Sequence, residues 1–254
     1  MPKFFIKSEN LKENDEIWIT GNDVNHIKNV LRKKVDDLLN ICNSDTSKNY
    51  EAKILKLLDD KIICQIISDK ISNSESSLNL TIFQGLPKAD KMELIIQKCT
   101  ELGVKEIVPT VMKRTVVKLK EKDKENKITR WRKIAEVAAK QSGRDIIPKI
   151  NNIINLNQID YSKYDKLLVL YENENKLSIK QVINELKLIE KEQLNIAIII
   201  GPEGGFDEKE IENIINEPNV SVVTLGKRIL RTETVALVVS GILMYELGDL
   251  NWKV

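Results

Sequence analysis

The chain is short of the residues on which several kinds of protein chemistry depend. Of its 254 residues only three are cysteines, and Cys42, Cys64 and Cys99 show no C-x-x-C spacing. That argues against a zinc site and a disulfide scaffold, and suggests a reducing compartment with the three thiols buried. No metal is expected. Six prolines and ten glycines leave no room for a fibrous or low-complexity chain. No apolar run approaches the ~18–20 residues of a membrane span. The opening Met1–Lys7 has no signal-peptide core, because charge returns at Lys7 and Glu9. A cytoplasmic, soluble protein is expected. Also missing are G-x-G-x-x-G and the Gly-Lys-Ser/Thr of a P-loop, which disfavours a common dinucleotide site and a nucleotide-dependent kinase.

What is present is an ordinary globular composition, 42% hydrophobic and 31% charged, with a net charge of +2. That small net charge hides a segregation. Residues 113–149 hold 13 Lys/Arg against 5 Asp/Glu, whereas residues 157–217 hold 7 against 13. Two readings of the basic stretch stand: a solvated lysine-rich loop, or a field that steers a polyanion to one face.

The first seventy residues predict a small, mostly β unit. Short apolar or β-branched runs fall at Phe4–Lys7, Glu16–Thr20, Leu38–Cys42, Tyr50–Leu57 and Lys61–Ser68. One helix interrupts them, with Asn22 or Asp23 as its cap and His26, Ile27, Val30 and Leu31 at helical spacing. The polar run Ser68–Ser77 reads as a linker, giving domains over 1–70 and 78–254 joined by 71–77. After it, strands at Leu80–Gln84, Ile107–Met112, Lys166–Tyr171, Asn195–Ile200 and Val220–Leu225 alternate with helices. The helices are expected at Ala89–Leu102, Arg130–Ser142, Leu177–Ile189, Asp207–Asn216 and Thr232–Leu247. This alternation predicts an α/β domain with a mainly parallel sheet.

Two loops carry the chemical signal. Ile200-Gly201-Pro202-Glu203-Gly204-Gly205-Phe206 lies between an apolar strand and a helix opened by an Asp207/Glu210 capping box. Ligands of parallel sheets bind at the carboxyl ends of strands, and such a turn lets one approach the main chain. A plain structural turn is the other reading. A side chain at Gly204 is expected to fill ligand space. The second loop, Leu225-Gly226-Lys227-Arg228-Ile229-Leu230-Arg231-Thr232-Glu233, leads into an apolar helix. Thr232 is a plausible N-cap and Glu233 a first-turn anion. Capping explains those two residues but not the two arginines bracketing an apolar pair.

Together these loops resemble the SPOUT superfamily of S-adenosylmethionine-dependent RNA methyltransferases, in particular the RsmE family that methylates a uridine N3 in 16S ribosomal RNA. The likeness extends along the chain through Met1–Phe5, His26, Val30–Arg32, Lys88–Met92, Gln97-Lys98, Thr100–Val104, Arg130-Trp131, Lys133-Ile134, Ala138-Ala139, Gln141-Ser142 and Arg144. Cys99 and Lys140 depart from the family pattern. The resemblance implies a PUA-like β-barrel followed by a SPOUT-type α/β domain with a C-terminal trefoil knot. It also implies a homodimer with the active site between subunits.

On this basis the cofactor pocket is expected at Leu170, Tyr171, Glu172, Ile200, Gly201, Pro202, Glu203, Gly204, Gly205, Leu225, Gly226, Ile229 and Leu230. Leu225, Ile229 and Leu230 would sandwich adenine while main-chain groups read its edge; Glu172 would meet the ribose, or would be an exposed loop residue. Methylating N3 requires loss of an imide proton, and a fixed cation beside the ring carbonyls would stabilise the charge. Arg231 is the first candidate and Arg228 the second. Glu233 is a candidate base, with water as the alternative. His26, in the small domain, is read as structural or RNA-contacting. Phosphate contacts are expected from Arg32, Arg114, Arg130, Arg132, Lys133 and Arg144. The partner would be 16S rRNA within the 30S subunit. A methyltransferase acting on another RNA and a non-catalytic assembly factor are the competing readings.

Overall fold

The computed structural model describes residues 2–71 and 74–250. Ser72 and Asn73 of the expected linker lie outside the described residues, as do Met1 and residues 251–254. Two compact units are present, Met1–Glu75 with Ala139–Ile147, and Ser76–Ala138 with Pro148–Val254.

The first unit is a five-stranded sheet in the order β1-β3-β4-β5-β2, built from β1 (Lys3–Ile6), β2 (Glu16–Thr20), β3 (Leu38–Asn43), β4 (Asn49–Leu57) and β5 (Lys61–Lys70). β1 and β3 run parallel and the other neighbours antiparallel. Alternate residues face inward, as period-2 side-chain geometry requires. Phe4, Ile6, Ile17, Ile19, Ile41, Ile54 and Ile62 thus form one core. Register shifts at Glu51/Ala52 and Ile54/Lys56 bend the long β4–β5 pair and curl the sheet. The interrupting helix is α1 (Asn22–Asn25), continued as a π turn over His26–Val30. Its cap is neither Asn22 nor Asp23. Gly21 holds that position at φ 72 without a side-chain bond, and Asp23 instead pairs with Lys140 at 2.9 Å. His26 packs edge-on against Phe4, ring centroids 5.9 Å apart.

Arg144 requires a correction. Its side chain is buried, at 3% exposure, and is forked onto Glu75: Nη2 donates to Oε2 at 2.6 Å and Nε to Oε1 at 3.2 Å. The same carboxylate accepts the Asp145 and Ile146 amides at 2.9 and 3.2 Å, and Asp145 pairs with Lys3. A guanidinium committed in this way is a structural group of the first unit and cannot meet a phosphate.

The second unit is a seven-stranded sheet with a main path β12-β10-β11-β6-β7-β8. Its strands are β6 (Asn79–Gly85), β7 (Glu106–Val111), β8 (Lys149–Ile150), β9 (Ile154–Asn155), β10 (Lys166–Leu170), β11 (Asn195–Ile200) and β12 (Val220–Val223). Every pairing is parallel, β9 adding to β7. Central β11 is buried from Ile196 to Ile200, as a strand covered on both faces must be.

The helices are α2 (Lys91–Glu101), α3 (Glu121–Ser142), α4 (Ile179–Leu186), α5 (Glu208–Ile214) and α6 (Thr232–Glu246). α2 starts two residues later than its apolar period suggests, because Ala89 sits in the left-handed region at φ 54. α3 starts nine residues earlier than expected: its first turns are polar, so no apolar period marks them, but Glu121 and Asp123 suit a helix N-terminus. The Asp207/Glu210 capping box forms, and a second one at Ser178/Gln181 opens α4. α6 buries only one face, through Ala236, Val239, Leu243 and Met244, while Val238 and Tyr245 remain 38% and 58% exposed.

All three cysteines are unpaired and buried. Desolvation raises the Cys42 thiol to about 11 and those of Cys64 and Cys99 to about 12, so none is a thiolate at neutral pH. Among the described residues, no helix is long and apolar enough to cross a membrane, and no acidic, histidine and cysteine groups cluster to hold a metal.

Arg144→Met should destabilise the first unit by ~3–5 kcal/mol, because Glu75 would be left charged and partly buried. Hydrogen exchange at the Ile41, Ala52 and Ile54 amides under mild denaturant measures this. Protection equal to wild type would show that the pair contributes nothing to stability.

Candidate active site

Parallel register decides where the site lies. Leu170 is level with Ile200 and with Val223, and Ile200 with Gln84, so the carboxyl ends of β10, β11, β12 and β6 open on one edge of the sheet. Ligands of such sheets bind there. The segments leaving β10, β11 and β12 enclose a cleft of about 480 Å³ lined by Leu170–Glu172, Ile200–Gly205, Val223–Thr232, Lys91 and Val235. All thirteen residues expected to hold a cofactor line it, with Arg228 and Arg231 at its rim. Glu233 does not line it.

The glycine loop is shaped by what presses on it. A Cβ on Gly85, at the end of β6, would come 2.5 Å from Pro202 N, so strand and loop touch backbone to backbone. Gly205 adopts φ +67, and a Cβ there would meet Glu172 Oε1 at 2.1 Å; Glu172 folds over the loop. Gly204 differs from expectation. Its Cβ would meet Arg114, at 3.1 Å from Cβ and 3.2 Å from the carbonyl oxygen. Close packing against the turn after β7 explains this glycine, and Arg114 Nη1 completes the contact by donating to Gly204 O at 3.2 Å. Buried Phe206 anchors the end of the loop and meets Tyr171 edge-on, with ring centroids 6.2 Å apart.

Beneath the cleft, Thr232 is not the cap of α6. Arg231 holds that position without a side-chain bond, and Thr232 is buried one residue inside the helix. Its hydroxyl donates to Gly201 O at 2.7 Å and accepts from Gln84 Nε2 at 2.8 Å. Gln84 also donates to Gly85 O at 2.9 Å. Sequence reading missed Gln84 and this role of Thr232, since a buried glutamine in a strand looks like any polar strand residue. It also missed Lys91, whose ammonium lies 3.0 Å from Glu203 Oε1 and 3.4 Å from Glu233 Oε2.

The second loop is different in character. Gly226, at φ +110, has open space where a Cβ would be, and Thr224 Oγ1 accepts its amide at 3.1 Å. Among the described residues, the main-chain groups of Leu225, Ile229 and Leu230 make no hydrogen bond, and the Arg228 and Arg231 guanidiniums have no partner. Ile229 is 86% exposed. Apolar side chains, unpaired amides and two uncommitted cations therefore share one rim. Such a site suits a partly apolar ligand read along its polar edge, next to an anionic or charge-developing group.

Comparison with known proteins supplies the family. A family model described as an RNA methyltransferase domain matches residues 74–244, and one described as an RNA methyltransferase PUA domain matches residues 19–67. Ribosomal RNA small subunit methyltransferase E of Bacillus subtilis is 35% identical over 252 residues, covering 97% of each chain. The chain belongs to the ribosomal RNA small subunit methyltransferase E family. A second relative of that name, from Buchnera aphidicola subsp. Acyrthosiphon pisum, is 32% identical and covers 98% of this chain and 95% of its own. The crystal structure of the Neisseria gonorrhoeae methyltransferase E, bound to S-adenosyl methionine, superposes with a TM-score of 0.82 at 30% identity, covering 98% of this chain and 99% of its own. The α/β class expected from strand–helix alternation, with an N-terminal PUA domain of curled sheet, is the fold observed.

The basic stretch is only partly free. Arg130 pairs with Glu93 through Nε at 2.8 Å and remains 66% exposed. Arg132 Nε donates to Ile150 O at 3.1 Å, which ties it to the end of β8. Lys133 is 53% exposed beside Glu136. Arg32, in the first unit, closes the π turn at φ 52.

Thr232→Val should cost ~1–3 kcal/mol, because it strips the buried Gly201 carbonyl and Gln84 amide of a shared partner. Thr232→Ser should cost much less. Thermal denaturation of the two variants side by side checks this, and equal losses would refute the hydrogen-bonded role.

Proposed function

We propose that this protein uses S-adenosylmethionine to methylate N3 of a uridine in 16S ribosomal RNA, acting on the assembled 30S subunit as a cytoplasmic homodimer. The observation that carries this reading is the rim at residues 225–231, where the main-chain groups of Leu225, Ile229 and Leu230 and the guanidiniums of Arg228 and Arg231, unpartnered among the described residues, meet at the edge of a parallel sheet. In this reading residues 1–70, joined through 71–77, are the body of an RNA-gripping PUA-like domain that also takes in 139–147, and the rest of 78–254 forms the catalytic SPOUT domain with its trefoil knot. The parallel order β12-β10-β11 and the return of α6 onto α2, β6 and β11 support that assignment.

The cleft suits S-adenosylmethionine by size and by lining. A volume of about 480 Å³ lies within the range of small-molecule sites. Leu225, Ile229 and Leu230 would hold the adenine, their free N–H and C=O groups reading its edge. Glu172, already folded over Gly205, would face the ribose, and the Gly201–Gly205 turn would take the remainder close to the main chain. When bound, the cofactor supplies an electrophilic methyl group on its sulfonium sulfur.

The protein's own work is to bind uracil, manage the imide proton and stabilise the charge that its loss creates. As the proton leaves N3, negative charge spreads onto the flanking carbonyl oxygens. Arg231 has its backbone fixed at the N-cap of α6, whose next residue is pinned to Gly201 and Gln84, so its guanidinium stays within reach of the cleft, where it would meet that charge. Arg228, farther along the loop, is the second candidate. Glu233, the candidate base, does not line the cleft and its carboxylate is held by Lys91, so the imide proton would leave to water rather than to Glu233.

The apolar surface left bare by α6, with Val238, Tyr245 and nearby Leu94 of α2 exposed, supports the homodimer, since a self-complementary patch is the usual way to cover such a face. RNA phosphates would engage Arg32 in the first unit and Arg114, Arg130 and Lys133 in the second, with Arg132 contributing less because it already serves Ile150.

Arg231→Ala should lower the single-turnover rate at saturating RNA by ~10²–10³, while cofactor and RNA dissociation constants move less than about tenfold. Mass spectrometry of the product nucleoside, with small subunits and naked RNA as alternative substrates, tests the reaction itself. A rate within about threefold of wild type would move the assignment to Arg228. Separately, removing the charges of Arg130 and Lys133 together should reduce the salt slope of RNA binding by up to ~0.7–0.9 per lost phosphate contact and leave cofactor affinity alone. An unchanged slope would mean that the basic segment is only a solvated face.

A further inference from the structure

Lys91 occupies a position that helix electrostatics alone would not favour. It opens α2, where the unpaired N–H groups and the macrodipole repel a cation. Two carboxylates reverse that preference. Glu203 of the glycine loop lies 3.0 Å from the ammonium and Glu233 of the first turn of α6 lies 3.4 Å from it. All three side chains are largely sheltered, at 27%, 27% and 16% exposure for Lys91, Glu203 and Glu233. Three separate chain segments therefore converge on one nitrogen beside the cleft.

We infer that Lys91 is a positioning residue of this site, holding the glycine loop and the first turn of α6 together so that Arg231 and the cofactor loop keep a fixed spacing. The inference rests on the cofactor reading above. Arg231 is two residues from Glu233, and Glu203 two residues from Gly201, so the bridge spans the parts of the two loops nearest the cleft.

Three further observations support it. Glu203 Oε1 also accepts the Lys88 amide at 3.0 Å, so one carboxylate closes the turn from Lys88 to Lys91. That turn contains Ala89 at φ 54, a conformation an alanine adopts only when its surroundings enforce it. Glu233 Oε2 is buried and accepts no hydrogen bond among the described residues, so the Lys91 charge at 3.4 Å is what compensates it. The ionisation directions agree with a committed ion pair. Burial pushes the Glu203 carboxyl up, but the hydrogen bonds from Lys91 and the Lys88 amide outweigh it and the net shift is downward. The bond to Glu203 raises Lys91 above the usual lysine value. Without the ammonium, two carboxylates would face each other across a loop junction and repel.

The test uses the full-length protein, calorimetry with S-adenosylmethionine, and single-turnover methylation of small subunits. Lys91→Met should weaken cofactor binding about tenfold and also slow the step at saturating cofactor and RNA by about tenfold. Lys91→Arg, which keeps the charge, should stay within about threefold of wild type on both measures. In the double variant Lys91→Met/Glu203→Gln the repulsion is gone, so cofactor affinity should recover relative to Lys91→Met, a coupling read directly by the cycle. Loss of melting temperature with an unchanged saturated rate would overturn the inference, as would methionine and arginine variants that behave alike. If Lys91→Met does not fold, the arginine variant and Glu203→Gln decide: an arginine variant as impaired as an unfolded one, or Glu203→Gln with wild-type affinity and rate, refutes it. Absence of cofactor heat from the wild-type protein would instead refute the underlying cofactor reading.

Discussion

The hydroxyl of Thr232 holds three elements of the catalytic-type unit at one point. It donates to the Gly201 carbonyl at the end of β11 and accepts from Gln84 near the end of β6, while its own backbone begins α6. All three residues are buried, so each unmade bond would leave a polar atom without water to replace its partner. The position of the glycine loop, the direction in which α6 leaves, and the placement of Arg231 one residue before it all depend on this junction. The contact of Gly85 with Pro202 adds a steric limit: the loop can sit where it does only because β6 ends in a residue with no side chain.

Above this fixed floor the second loop is left chemically open. Among the described residues, its leucines and isoleucine expose apolar surface and unpaired amides and its two arginines have no protein partner, whereas Lys91 beside it is committed to Glu203 and Glu233. The contrast separates two kinds of charge around one cleft. Paired groups set its geometry, and unpaired groups remain for what enters it. Keeping guanidiniums unpaired costs little at an exposed rim, where water solvates them and both stay available to a negative charge that enters the cleft.

The basic stretch divides in the same manner. Arg144 and Arg132 are spent on the protein, one on a buried glutamate and one on a carbonyl at the end of a strand. Arg130 and Lys133 stay exposed. A count of positive residues therefore overstates the surface available to a polyanion, because charge number is fixed by composition while availability depends on packing.

Much of this protein was legible in its residues. Period-2 and period-3.6 patterns placed every main strand and helix to within a few residues, except the polar start of α3, and the two glycine-bearing loops marked the strand ends where the cleft opens. Those features are local, and local sequence encodes them through side-chain spacing and backbone freedom. The family likeness, too, lies in the order of short segments along the chain. What the sequence could not decide is which polar residues find partners across long separations. Glu75 meets Arg144, Gln84 meets Thr232, and Lys91 meets Glu203 and Glu233 over gaps of dozens to more than a hundred residues. No spacing rule connects such pairs. Only the folded parallel sheet, by bringing four strand ends to one edge, made Thr232 a structural pin rather than a cap and Lys91 a bridge rather than a surface lysine; and only the folded first unit turned Arg144 from an RNA contact into a buried partner of Glu75.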